Sequence, residues 1–110
     1  MRRLFLLPFL WLAQPVLAGG PEGVWAHDPD WCSDPSMRIE ITESEIIGRE
    51  NTCEITGRTE IEGLSAQHLS LRCMGEGMVS EEERLILIGE DSLWQWFGAG
   101  DPLIFHRCSE

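Results

Sequence analysis

Apolar and polar side chains alternate along much of the chain. In Met37-Arg38-Ile39-Glu40-Ile41-Thr42 every second side chain is apolar, the two-residue period of a half-buried strand. Residues 45–48 supply a short neighbour. The pattern resumes over residues 52–61, with Cys53, Ile55 and Ile61 on one face and Glu54, Thr56, Arg58 and Glu60 on the other. Within residues 64–73, Leu69, Leu71 and Cys73 share a face against Ser70 and Arg72. Residues 74–83 contain Gly75, Gly77 and the run Glu81-Glu82-Glu83, and read as a solvated turn or loop. Residues 84–89 are rich in Leu and Ile, residues 92–97 are aromatic, and Gly98-Ala99-Gly100-Asp101-Pro102 turns the chain into a last strand at 103–108. A first strand at 23–26 precedes loop chemistry at 27–36. Roughly seven or eight short strands with no helix of three turns predict an all-β domain, an antiparallel meander closing into a small barrel or folding as a sandwich.

The cysteines test that meander. Cys32, Cys53, Cys73 and Cys108 show no C-x-x-C or C-x-x-H spacing, so two disulfides are a better reading than a zinc site. A hairpin centred on Gly63 sets Cys53 opposite Cys73 and Ile55 opposite Leu71, both on the apolar face. By elimination Cys32 pairs with Cys108, joining the segment after the first strand to the last strand. The two other connectivities stay open at this point.

Residues 1–18 do not belong to the domain pattern. Arg2 and Arg3 precede an apolar stretch over residues 4–13, and Val16-Leu17-Ala18 ends in the compact residues of a cleavage site. That is the layout of a secretory signal peptide, with an apolar run too short to span a bilayer. The expected organisation is a signal peptide at 1–18 and one disulfide-stapled domain at 19–110, exported to a periplasmic or extracellular space without a membrane anchor.

Charge narrows the function classes. The 110 residues carry eight Arg and no Lys against 19 Asp and Glu, a formal charge of −11. Without Arg2 and Arg3, six Arg face the same 19 acids, which gives −13. Nucleic acid is an improbable partner, because phosphate contacts need basic side chains. A basic protein partner, steered by the acidic field, is the favoured expectation. Catalytic signatures are absent from the sequence, and His27, His68 and His106 are scattered. Glu40, Glu54, Glu60 and Glu62 alternate with apolar residues, as on the wet side of a sheet. His27, Asp28, Asp30 and Asp34 cluster in the first loop, but the spacing of a calcium loop is missing and Asp beside Pro is ordinary turn chemistry. No catalytic residue, cofactor or metal is therefore expected.

Gly23-x-Trp25 near the start of the domain and Arg107 in its last strand resemble the lipocalin-like (calycin) signature. The resemblance implies that Trp25 closes one end of a barrel with Arg107 stacked on its ring. The whole layout is also similar to small secreted four-cysteine proteins of alphaproteobacteria. Trp94 and Trp96 share one face of a strand, and Leu93, Gln95 and Phe97 the other. A small domain needs bulky filling, which favours the Trp pair as core. Facing outward instead, the pair would form a partner surface with Glu81, Glu82 and Glu83. The reading reached from sequence is an exported, monomeric, non-catalytic acidic β-domain of the protein-interaction or inhibitor type. Its alternative is a lipocalin-like barrel holding a small apolar ligand.

Overall fold

In a computed structural model of the chain, residues 20–109 are described. The signal-peptide assignment at 1–18 lies outside them. Eight strands follow one another: β1 (Gly23–Ala26), β2 (Arg38–Ile41), β3 (Glu45–Ile47), β4 (Thr52–Glu60), β5 (Ala66–Gly75), β6 (Met78–Ile88), β7 (Ser92–Trp96) and β8 (Leu103–Arg107). Each pairs antiparallel with the next, and β8 returns to β1 through Trp25 opposite Arg107 and Ala26 opposite His106. The meander is thus a closed barrel and not a sandwich. No helix among the described residues is long and apolar enough to cross a membrane.

Alternation fills the interior. Trp25, Ile41, Ile46, Cys53, Leu69, Leu71, Cys73, Ile86, Ile88 and Leu93 form one buried cluster, with Ile39, Ile55 and Phe105 packed against it. Both bridges form with the expected partners, Cys53–Cys73 and Cys32–Cys108. Cys53 sits directly across from Cys73, and Ile55 across from Leu71, in the register that the hairpin reading required. Cys32 lies in the first of two short 3-10 turns, Pro29–Ser33 and Pro35–Met37. That turn folds back on β1, where Ala26 is fully buried although it alternates with the inward-facing Trp25.

Three expectations need correction. The first concerns residues 74–83, which are strand rather than loop. β5 runs to Gly75, β6 starts at Met78, and only Glu76 and Gly77 turn the chain, at φ of 54° and 78°. Two successive left-handed residues make the tightest hairpin link, and its twist matches that of the strands. Glu81, Glu82 and Glu83 therefore sit inside β6. From Met78 to Arg84 this strand has β5 on one side and no strand on the other, because β7 joins only at Leu85.

The second concerns β4, where the register shifts between Ile55 and Gly57. The extra residue reverses which positions face inward. Arg58 now lies opposite the buried Leu69 and Glu60 opposite the buried Gln67, rather than both lying with Glu54 on the wet face. Gln67 accepts from Arg58 (2.9 Å) and donates to Glu60 (2.8 Å), while Arg58 donates to the Glu43 carbonyl (2.8 Å). The third correction is the Trp94–Trp96 pair, which faces outward.

Candidate functional site

Successive turns of a meander alternate between barrel ends, so two ends and one outer face must be distinguished. At the end holding the β6–β7 turn, Trp25 is fully buried and its indole donates to the Pro21 carbonyl at 2.9 Å. The Arg107 guanidinium lies 4.2 Å from the Trp25 ring centroid and donates to the carbonyls of Glu90 and Glu22. One cation thus stacks on the aromatic plug and ties the chain entry to the β6–β7 turn.

On the outer face, β7 presents Trp94 and Trp96, because Leu93 and Gln95 occupy the interior at 0% and 1% exposure. The Trp rings lie 6.2 Å apart and tilted. Trp94 sits between Leu87 on β6 and Ile104 on β8, and Trp96 sits opposite the exposed Leu85. These side chains make a continuous apolar stripe across three strands, of the kind found at protein interfaces. Alternation along β6 places Glu81 and Glu83 on this same face, beyond Leu85. Glu82 points the other way. A shallow concavity of about 360 Å3 lies here, lined by His68, Glu83, Leu85, Trp96 and the loop Gly98-Ala99-Gly100. Glu83 closes its rim through a 2.8 Å contact with His68 and a 3.0 Å bond from the Ser70 hydroxyl. The face thus places aromatic surface beside a hydrogen-bonded carboxylate.

The opposite barrel end holds the β3–β4 turn and the β7–β8 loop. There the interior opens as a cup of about 220 Å3, with Ile39, Ile46, Cys53 and Phe105 among its walls and Phe97 at its rim. Arg84 reaches across it. Its guanidinium donates to Glu82 at 3.0 and 3.3 Å and to the Gln95 side-chain oxygen at 3.1 Å, stacks 4.3 Å from the Phe97 ring, and lies 3.7 Å from the Cys53 sulfur. The Gln95 amide nitrogen is buried without a hydrogen-bond partner among the described residues. Sequence reasoning missed both residues. Arg84 looked like the start of a strand and Gln95 like a polar step between tryptophans. Counting inward from Leu93 would have found Gln95, and stepping by two from its cross-strand partner Ile86 along β6 would have found Arg84.

The first loop is organised by its own carboxylates. Asp28 accepts from the Asp30 amide at 2.9 Å and caps the first 3-10 turn. Asp34 accepts from the amide and the hydroxyl of Ser36 at 3.0 and 2.9 Å and caps the second. The Ser36 hydroxyl and then its amide hold the Asp34 carboxyl below the ordinary aspartate range, with smaller help from Arg49 and Arg38 against a slight burial penalty. His27 bonds the Ile104 carbonyl at 2.9 Å and packs edge-on against Phe105. Among the described residues no group of three His, Cys, Asp or Glu side chains converges as metal ligands do. Two disulfides are consistent with an oxidising location. Comparison with protein-family models, curated proteins and solved structures finds no match.

Proposed function

We propose that the protein is an exported, monomeric, non-catalytic domain that docks a basic protein partner on the outer face of β6 and β7. The observation that carries this reading is the exposed Trp94–Trp96 stripe with Glu81 and Glu83 on the same face. Apolar area of this kind is costly to leave in water and is characteristic of interface centres. The net charge of −11 supports a cationic partner, since complementary fields speed encounter and disfavour acidic competitors. An inhibitor of a cationic hydrolase fits this description.

The test is the binding of labelled Arg-rich and Asp-rich peptides to the disulfide-bonded domain, followed by fluorescence anisotropy at low and high salt. The Arg-rich peptide is expected to bind preferentially and more weakly as salt rises. Replacing both Trp94 and Trp96 by Ala should weaken binding by about thirtyfold, the loss of one interface hot spot or more. Glu81→Gln with Glu83→Gln should flatten the salt dependence. Equal binding of both peptides, or affinity indifferent to the two tryptophans, sinks the proposal.

A further inference from the structure

We propose that the open edge of β6, from Met78 to Arg84, takes up an extended segment of a partner protein as an added strand, and that this segment carries Arg or Lys at alternate positions. The inference rests on the reading that the partner is basic, and adds how that partner binds.

The backbone of β6 is the first observation. On the β5 side the Ile88 amide donates to the Ser65 carbonyl at 2.7 Å, and on the β7 side the Gly89 amide donates to the Ser92 carbonyl at 2.7 Å. Hydrogen bonding alternates sides residue by residue along a strand, and the β5–β6 register runs without a shift from Met78 to Leu87. Ser80, Glu82 and Arg84 therefore bond to β5. The amides and carbonyls of Val79, Glu81 and Glu83 point to the other side, where no strand lies among the described residues. β7 ends at Trp96, opposite Leu85, so a segment seated here would continue its line along β6.

The side chains at the start of this edge are the second observation. Met78 and Val79 are 73% and 58% exposed. An edge that must only be avoided is blunted by charge, by Pro or by a bulge. Here two neighbouring apolar side chains stay in water, one on each face of the sheet, where they can anchor an added strand.

Charge selects the occupant. Glu81 and Glu83 border the edge on the outer face. On the inner face Met78, Ser80 and Glu82 line a groove of about 310 Å3, with Glu50 and Asn51 among its other walls. The nearby cations are already opposed, Arg84 by Glu82 and Arg72 by its cross-strand neighbour Glu81. Carboxylates thus flank both faces, so cationic side chains on the added strand are stabilised and acidic ones repelled. A second copy would set glutamate against glutamate. The open half of β4 offers less, because the register shift interrupts it and Arg58 there donates to the Glu43 carbonyl.

The probe is a peptide of alternating Arg and Val, with an Asp and Val counterpart, added to the isotope-labelled, disulfide-bonded domain. In the free domain the amides of Val79, Glu81 and Glu83 should exchange with solvent quickly, and those of Ser80 and Glu82 slowly. Near nine-tenths saturation with the Arg peptide the first three should slow about tenfold, because exchange then comes from the free fraction. The Asp peptide should leave them fast. Two further Arg peptides, N-methylated on either the Arg or the Val amides, keep the charge. The one whose methyl groups face β6 should bind about tenfold more weakly, the loss of one or two ladder hydrogen bonds. Arg-peptide binding that leaves the three amides fast, or equal binding of both methylated forms and the parent, overturns the proposal while a basic partner on the tryptophan face stands. Slowing of the same amides with protein concentration alone makes a second copy the occupant and overturns it too. If no Arg-bearing peptide binds, both readings fall.

Discussion

Cutting the Cys32–Cys108 bridge is the sharpest test of how this small barrel is held closed. The bond spans 76 residues, and in the chain-entropy account a loop of that length is worth about 4.5 kcal/mol of unfolded-state restriction. The Cys53–Cys73 bond, nested inside with a separation of 20, already shortens the effective loop, which lowers the figure to about 4.2 kcal/mol. A domain of this length has on the order of 5 to 13 kcal/mol of stability in total. Cys32→Ala with Cys108→Ala should therefore remove a third of it or more. The bridge also pins the Pro29–Ser33 turn over Ala26, and its loss frees that turn to expose β1. Urea unfolding followed by tryptophan fluorescence measures both consequences. The midpoint should fall, and the slope should rise because the released chain exposes more surface when unfolded. A cost below about 1 kcal/mol with an unchanged slope would refute the entropic argument and leave barrel closure to the β1–β8 hydrogen bonds.

Trp25→Ala should cost about 3 to 5 kcal/mol in urea unfolding, since it empties a fully buried site and strands the Arg107 guanidinium. Gly75→Ala should cost about 1 to 3 kcal/mol, because a Cβ there would lie 2.7 Å from both the Asn51 Cβ and the Glu50 carbonyl oxygen. Asp34 has a carboxyl pKa held below its ordinary value, so its contribution to stability is present above the unfolded pKa and lost as pH falls through the folded one. Carboxyl-carbon NMR should show Asp34 titrating below the ordinary aspartate value, and Ser36→Ala should raise it towards that value.

The sequence makes barrel and bridges legible because alternation and sulfur position reinforce each other in β4 and β5. Cys53 and Ile55 must share a face, Leu71 and Cys73 must share a face, and only one register brings both pairs together. The Thr56 bulge is illegible for the same reason that alternation works. A single extra residue reverses parity, and nothing in Ile55-Thr56-Gly57-Arg58 marks it except a glycine that is common in turns. Glu81-Glu82-Glu83 hides β6 because three carboxylates in a row read as solvated. In fact the strand leaves the barrel there, and its outward Glu81 and Glu83 are wet while Glu82 pairs with Arg84. β7 is ambiguous because it is apolar on both faces, so burial depends on the interior volume left by seven other strands. The cup is hardest of all to read. Its polar atoms come from β6 and β7, and only the closed sheet turns them towards each other.

The half of β6 without a second neighbour bears on how this molecule behaves in a crowd. Of the three longest strands only β5 is paired on both sides along its length, so this ledge, like the second half of β4, is a place where a stray extended segment could add itself. Two copies approaching ledge to ledge would bring their glutamate rows together, and the mutual repulsion discourages a chain reaction of identical molecules. A foreign segment rich in Arg or Lys would meet no such barrier. The carboxylates that advertise a loop in the sequence thus guard an open sheet edge against identical copies.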